Sequence, residues 1–289
     1  MNRGTFSDAA LVLLGHGTSE SEDAAAPVYQ HAAALRARGL FASVHEAFWK
    51  QSPRLAEVLA SVAAPRVFLV PLFMSEGYFS GREIPRELGF ELTDDLASRV
   101  RRRGAQTLAY CRPIGTHERM SRVVLARARE VVERFPFPRP PPAAETTLFL
   151  AGHGTARAER SRQSVEEHVH RLRAMGLFAA VHGIFLEESP RIGACYALAA
   201  TRNVVLVPFF LSDGPHTQED IPQQLGEPES VVRARRAAGQ PAWRNPTERH
   251  GRRVWFAGAV GTAPEVADVI LERVSELAGL ARSETAGAG

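Results

Sequence analysis

Apolar runs of strand length recur along the chain, separated by longer stretches in which polar residues interrupt the apolar ones. The first runs are "ALVLLG" at 10–15, "FASVHEAF" at 41–48 and "RVFLVPLF" at 66–73, and each predicts a β-strand. A fourth strand is predicted near 106–111. Because the intervening stretches are long enough for helices, the pattern predicts a parallel sheet with helices on both faces.

Helices are predicted in three of the intervening stretches. Residues 21–38 are long enough for a helix that ends at Gly39. "SPRLAEVLASVA" predicts a helix with Ser52 at its cap and Pro53 at its first position. A last helix is predicted over about 117–134. Together with the strands, these helices indicate a flavodoxin-like unit.

The same unit is encoded twice. "LVLLGHGTSESE" at 11–22 returns as "LFLAGHGTARAE" at 148–159, and about 35 of the 80 positions from 11 to 90 are identical to those 137 residues later. Further on, the second copy carries about nine extra residues, since "IGT" at 114–116 returns as "VGT" at 260–262. The fold class is therefore α/β, with two tandem flavodoxin-like parallel-sheet domains related by internal duplication.

The boundary between the copies is expected in "RFPFPRPPPAAET", near 136–145, because its prolines fit neither a continuing helix nor a central strand. This predicts an N-terminal domain over 1–140 and a C-terminal domain over 141–289. Each domain has an ordinary size.

Histidines follow two strands of the second copy. His153 comes after its first strand, and His216 lies in the loop after its third. In a strand order of 2-1-3-4 these two loops open a crevice at the carboxyl ends of the strands, where we expect the two imidazoles to meet. His182 lies in the second strand, which neighbours the first strand in this order. It would complete a set of three nitrogen ligands for Fe, Co, Ni or Zn.

The first copy keeps His16 and His45 at the equivalent places but has Phe79 where the second has His216. We therefore expect the first copy to hold a metal poorly and the second copy to carry the metal site.

Each of these residues also has a structural explanation. The "GHG" segments are explained equally well as tight turns with glycine at positive φ, and His182 as an ordinary strand residue. His31 and His168 repeat inside the first helix of each copy, where a packing or surface role is expected. Thr217 and Asp220 have capping-box spacing, which predicts Asp220 as a helix cap.

Composition narrows the class of protein. The chain has 289 residues, of which 45% are hydrophobic and 23% charged, as in globular proteins. No apolar run is long enough to span a bilayer and the first residues do not resemble a signal peptide, so no membrane association and a cytoplasmic location are expected. A net charge of +3 gives no indication of nucleic-acid binding. The two cysteines, Cys111 and Cys195, are expected as core residues.

The "GHGT" after the first strand, together with "VPFFLSDGPHTQEDIP" after the third, resembles class II tetrapyrrole chelatases, specifically the sirohydrochlorin cobaltochelatase/ferrochelatase (CbiX/SirB-like) family. The resemblance covers roughly 10–135 and 147–280. It implies a chelatase-like fold and insertion of Co²⁺ or Fe²⁺, with Ni²⁺ as a further candidate, into sirohydrochlorin in cobalamin or sirohaem biosynthesis. It implies no organic cofactor.

The resemblance also assigns residues. The family's metal-binding histidines correspond to His153 and His216. A third family position, usually a glutamate of the second strand, is occupied by His182 in this sequence. In two-domain relatives the working site lies in the C-terminal half. His153, His216 and His182 are thus expected as the metal ligands and the catalytic residues, with His182 either ligating the metal or accepting a proton.

The tetrapyrrole substrate carries many carboxylates, so arginines are expected at the rim of the site. The arginine-rich segment 227–253 is interpreted either as a lid over the ring or as a surface loop, and Arg82 is a further rim candidate. The expected partner is the tetrapyrrole alone. A fused pair of halves needs no second chain to complete the cleft, which predicts a monomer.

Two other functions remain open at this point. A phosphohistidine enzyme would need an arginine immediately before the histidine, where Gly15 and Gly152 stand, so this alternative is disfavoured. A non-catalytic carrier of metal or tetrapyrrole is the second alternative, since a set of ligands and a set of catalytic residues look alike in a sequence.

Overall fold

The computed structural model describes residues 6–17, 25–154 and 159–286. The strands of the first repeat are β1 (Phe6–Gly15), β2 (Phe41–Phe48), β3 (Arg66–Pro71), β4 (Val100–Arg103) and β5 (Gln106–Tyr110). Those of the second are β6 (Thr146–Gly152), β7 (Ala180–Phe185), β8 (Asn203–Pro208), β9 (Thr247–Arg249) and β10 (Arg252–Phe256). The α-helices are α1 (Ala26–Arg38), α2 (Leu55–Ser61), α3 (Ile84–Glu87), α4 (Met120–Arg134), α5 (Glu159–Ala174), α6 (Cys195–Leu198), α7 (Ile221–Gln224), α8 (Glu229–Ala237) and α9 (Val266–Ala286).

The two sheets have the same topology. Their strand orders are β2-β1-β3-β5-β4 and β7-β6-β8-β10-β9, and the four strands that begin each order are parallel. This confirms the predicted order of the parallel strands. The antiparallel edge strands β4 and β9 were not predicted, because "VRRR" and "TER" have no apolar face, and such charged residues are typical of sheet edges.

Most predicted elements are found at the expected places. α1 ends where Gly39 adopts a φ of 61° and donates its backbone N–H to the Arg36 carbonyl, as predicted. The expected start of that helix near residue 21 lies outside the described residues. The predicted cap of α2 is wrong: α2 begins at Leu55, and Glu57 accepts the backbone N–H of Arg54 at 2.9 Å.

The chain divides into two compact units that do not coincide with the predicted domains. One unit comprises residues 1–117 with 264–289, and the other comprises 118–263. The boundary near 140 that separated the predicted domains 1–140 and 141–289 is therefore not the boundary between these units. The reason is that α4, encoded by the first repeat, packs on β8 and β10, whereas α9, encoded by the second, packs on β3, β4 and β5.

In both α4 and α9, one arginine donates a hydrogen bond to the turn that follows a strand of the sheet on which the helix packs. In α4, the Arg127 Nε donates to the Ala259 carbonyl at 3.2 Å, and in α9, the Arg273 Nη2 donates to the Pro113 carbonyl at 2.9 Å. These two arginines occupy equivalent positions of the two repeats. The two repeats thus exchange their last helices, α4 and α9, and an equivalent arginine contact holds the exchanged helix in each unit.

Within the described residues, no helix is both long and apolar enough to cross a membrane. The apolar residues instead fill the spaces between sheets and helices. On one face of the second sheet, for example, Phe149, Leu206 and Val254 pack with Ile192 and Cys195. The strands are therefore held rigidly, and the loops at their carboxyl ends have a fixed base.

Candidate metal centre

His153 and His216 meet at the carboxyl ends of two neighbouring strands. Their ring centroids are 4.8 Å apart and the ring planes are nearly perpendicular, at 84°. His153 follows the last residue of β6, and His216 begins a single π-helical turn (His216–Asp220) after β8, which pairs with β6. The meeting expected from strand order is thus observed.

Backbone contacts fix the two loops that carry these histidines. Gly154 has a φ of +60°, and a Cβ there would lie 2.6 Å from Phe185, so the turn after His153 requires glycine. A Cβ on Gly261 would lie 2.2 Å from the Leu211 carbonyl oxygen. The Gly261 N–H also donates to the Phe210 carbonyl at 2.9 Å, so the loop before His216 lies directly against the turn after β10.

Two carboxylates flank the imidazoles. Glu187, just beyond the end of β7, places Oε1 3.7 Å from His153 Nε2, and its side chain is 55% exposed. Asp220 places Oδ2 2.7 Å from His216 Nδ1. Two imidazoles between two carboxylates form an acidic, nitrogen-rich cluster, which favours a divalent cation.

The surroundings of His153 favour the neutral form of its ring. Burial is the main factor that lowers its pKa below the ordinary value of 6.5, and the adjacent His216 lowers it further, against the opposing effect of Glu187. Its buried Nδ1 has no hydrogen-bond partner among the described residues, which offer no acceptor for a proton on that atom. A neutral imidazole is the form that binds metal.

His182 does not join the pair. It lies on β7 in register with Phe149, and the two rings stack with centroids 5.3 Å apart. Three residues of β7 follow His182, which places it about 10 Å short of the end of the strand. Among the described residues, no three His, Cys, Asp or Glu side chains already surround a common point. The predicted set of three histidines is therefore not formed.

The prediction that Asp220 is a helix cap is wrong. Its side chain makes no capping hydrogen bond and pairs with His216 instead, while the Thr217 hydroxyl donates to the Gly214 carbonyl. Both residues of the expected capping box are thus used within the π-helical turn. Such turns are frequent at functional sites.

Glu187 was missed by the sequence analysis, which looked for a third ligand inside the strand rather than after it. A signal was available in the comparison of the two repeats. Glu187 is equivalent to Lys50, so a carboxylate and an ammonium occupy the same position in the two copies. Such a reversal of charge, beside a loop that is otherwise similar in the two repeats, indicates a position whose role differs between them.

The equivalent place in the first repeat lacks the features of a cation site. The rings of His16 and Phe79 lie 4.7 Å apart, and Lys50, the one lysine in the sequence, has Nζ 5.5 Å from the Phe79 centroid. Glu83, the counterpart of Asp220, accepts the indole N–H of Trp49 at 2.9 Å. A phenyl ring and a fixed positive charge thus stand where the second repeat has an imidazole and a carboxylate.

The remaining candidates have structural roles or lie apart from the pair. The buried His168 ring lies 2.9 Å from the Ser121 hydroxyl, and His31 is equally buried, as the packing interpretation predicted. His45 contacts the Ser43 hydroxyl within β2. Cys111 and Cys195 are buried free thiols, which confirms them as core residues. Arg82 is exposed.

The segment 227–253 is folded rather than an irregular surface loop. It forms α8, β9 and the start of β10, and Trp243 is only 3% exposed. Its first residue, Glu227, is buried and forms ion pairs with Arg235 at 3.0 Å and with Arg249 at 3.2 Å. The segment is therefore an integral part of the unit that carries the histidine pair.

Comparison with known proteins identifies related sequences. A sequence profile of the CbiX family matches residues 10–131 and 147–277, which correspond to the two repeats. A probable sirohydrochlorin cobaltochelatase of Halobacterium salinarum is 37% identical over an alignment of 278 positions, which covers 92% of this chain and 91% of that protein.

Solved structures have the same architecture. A multi-domain protein of Deinococcus radiodurans, described as structurally similar to chelatases with two additional domains, matches with a TM-score of 0.75 and 30% identity. The match covers 94% of this chain but 55% of that longer protein. SirB from Bacillus subtilis, solved with Fe³⁺, matches 96% of this chain and 98% of its own with a TM-score of 0.69 and 19% identity, which shows the fold alone. The predicted chelatase-like fold is confirmed.

Proposed function

Because the chain belongs to the CbiX family, we propose that its second repeat inserts a divalent metal ion, Co²⁺ or Fe²⁺, into sirohydrochlorin. The observation that carries the proposal is the contact between the rings of His153 and His216, 4.8 Å apart at the mouth of the second sheet. Metal and tetrapyrrole are both substrates, and no organic cofactor is needed for the reaction.

His153 and His216 hold the incoming ion through ring nitrogens. His216 donates its Nδ1 proton to Asp220, which leaves the Nε2 lone pair for the metal. Neutral imidazoles bind an ion of this kind and leave coordination positions open. The macrocycle nitrogens occupy these positions as the ion transfers.

Glu187 takes the role that the sequence analysis gave to His182. Its exposed carboxylate, 3.7 Å from His153 Nε2, can rotate to become a third ligand. Insertion exchanges two pyrrole N–H protons for one divalent ion, so the reaction also needs a proton acceptor. As the macrocycle takes over the ion, the released carboxylate of Glu187 accepts one of these protons, and the second passes to solvent water.

A turnover assay tests the proposal. Sirohydrochlorin in large excess over protein is mixed with Co²⁺ or, without oxygen, Fe²⁺, and its absorption spectrum is followed. Many turnovers per chain are expected. A spectral change limited to one equivalent of tetrapyrrole per chain contradicts the proposal and supports the non-catalytic carrier.

Substitutions assign the reaction to the second repeat. H153A and H216A are expected to abolish insertion, and E187Q to slow it by about 10² or more, since it removes a ligand and a base. The matched control is H16A, the equivalent of H153A in the first repeat, which should retain full activity. Full activity of H216A in a folded protein contradicts the assignment.

A further inference from the structure

A cavity of about 780 Å³ opens beside the π-helical turn, within the unit 118–263. Its walls come from α4, the loop after β8, residues 239–245 and the end of β10. This volume is in the range of pockets that take large organic ligands.

The floor of the cavity is apolar and aromatic. Trp243 and Phe256 line it and are 3% and 8% exposed, respectively, so each presents only a small surface to a ligand. The indole N–H of Trp243 already has an acceptor, the Val254 carbonyl at 3.4 Å. The floor therefore offers a flat apolar surface rather than hydrogen bonds.

Two arginines at the cavity have no acidic partner among the described residues. Arg134 and Arg244 are both exposed, and neither forms an ion pair or a side-chain hydrogen bond within the part of the chain that the structure describes. Arg127 also lines the cavity but is paired with Glu130 at 2.6 Å. The Arg134 guanidinium lies over the Phe135 ring, 5.3 Å from its centroid, a contact that leaves its charge without an anionic partner among the described residues. An apolar floor beside two such guanidinium groups favours a ligand that combines an apolar body with carboxylates.

The cavity adjoins the histidine pair through one short segment. Gln218 lines the cavity and belongs to the same turn as His216. Residues two apart on a helical turn point in different directions, so the cavity and the pair lie on different sides of this turn. A macrocycle whose centre met the pair would have to extend past this turn for its peripheral groups to enter the cavity.

The first repeat lacks the segment that forms part of the cavity. Residues 239–245 fall in the stretch where the second repeat has about nine extra residues. The repeat that lost its second histidine therefore also lacks this wall. The extra residues and the histidine pair therefore occur together in the second repeat.

We propose that this cavity binds peripheral carboxylates of the tetrapyrrole substrate, with Arg134 and Arg244 as the ion-pairing residues. The proposal rests on the proposed function for the identity of the ligand. It assigns to the segment 227–253 a role in recognising the substrate, and it makes Arg134 and Arg244 determinants of specificity rather than catalytic residues.

The test uses the double variant R134Q/R244Q in the full chain. Two exposed ion pairs together are expected to change affinity about tenfold. The KM for sirohydrochlorin should rise by this factor, while kcat and the affinity for Co²⁺ in the absence of tetrapyrrole stay unchanged. Binding of metal-free sirohydrochlorin, followed by its fluorescence, should weaken by the same factor. The matched control is R122Q, because Arg122 is exposed on the same helix and lies outside the cavity lining.

The outcomes separate the two proposals. If the wild-type protein turns over but the double variant has an unchanged KM, or if R122Q has the same effect, the cavity proposal is overturned and the proposed function stands. If the wild-type protein binds sirohydrochlorin without turnover and the double variant binds it more weakly than R122Q does, the proposed function fails and the cavity proposal is supported. Circular dichroism and thermal unfolding confirm that the variants are folded.

Discussion

The Nδ1 of His216 donates a 2.7 Å hydrogen bond to the Oδ2 of Asp220, four residues further along the same π-helical turn. Both side chains are about half exposed, so packing alone does not fix the ring. The hydrogen bond selects the tautomer that leaves Nε2 unprotonated, and it directs that nitrogen away from the turn. In the proposed metal site, Asp220 would thus orient His216 for the ion without itself being a ligand.

We expect D220N to weaken Co²⁺ binding by about 10- to 100-fold, because the loss of an outer carboxylate lowers the basicity and order of a ligating imidazole. Calorimetric titration of the full chain with Co²⁺ measures the change. E83Q, at the equivalent position of the first repeat, is the control and should bind as the wild type does. An unchanged affinity of D220N would show that Asp220 does not orient the ring.

A second metal site is expected in the double variant K50E/F79H. It restores a carboxylate and an imidazole beside His16, where an ammonium and a phenyl ring now stand. Equilibrium dialysis with Co²⁺ should give two bound ions per chain, against one for the wild type. F79H alone should remain at one, because the Lys50 charge repels the ion. One bound Co²⁺ per chain of the double variant would mean that differences between the repeats at other positions prevent the first repeat from binding metal.

Close backbone packing at Gly261 predicts a functional effect of a single methyl group. In G261A the new Cβ would stand 2.2 Å from the Leu211 carbonyl oxygen, so the loop leading to His216 must shift. G115A creates the same 2.2 Å contact with Met74 in the first repeat and is the control. Both variants should lose about 1–3 kcal/mol of unfolding free energy. Only G261A should also weaken Co²⁺ binding.

Chemical denaturation and Co²⁺ titration of both variants measure these two quantities separately. Equal and unchanged metal affinity in the two variants would show that the position of the loop does not control His216.

The metal-free protein should show a depressed pKa at His153. Burial and the neighbouring His216 both disfavour the imidazolium, so His153 should stay neutral as the pH falls to 6.5 and gain its proton only below that value. Metal binding competes with this proton and should weaken as the pH falls through the depressed pKa. NMR titration of the ring protons measures the pKa directly.

H216A provides the comparison for this titration. It removes the neighbouring imidazole, which lowers the pKa of His153, and opens the site to water, so the pKa of His153 should rise toward the ordinary value. A His153 pKa at or above 6.5 in the wild-type protein would contradict the environment described for this ring.

The meeting of His153 and His216 was predictable because the strand order places the two loops that carry them side by side. Continuous apolar runs identified the parallel strands, and parallel strands in this order bring the loops after β6 and β8 together. The position of His182 was not predictable in the same way. Its distance from the crevice depends on how far β7 continues beyond it, and three further strand residues follow.

The partner of α4 could not be read from the sequence either. Its apolar face shows that it covers a sheet, but the same face fits either of two sheets built from nearly identical repeats. The choice depends on contacts such as that between Arg127 and Ala259, which join residues far apart in the chain. Glu187 escaped notice for a related reason, since a glutamate in a polar stretch has no distinctive pattern of its own.

The exchange of α4 and α9 has a consequence for biosynthesis. The residues of the unit that carries the histidine pair are continuous from 118 to 263, so the ribosome completes them before it reaches α9. The other unit begins at the amino terminus, yet its sheet must stay uncovered on the α9 side until residues 264–286 have emerged. During translation, the half of the molecule that is begun first is therefore the half that is finished last.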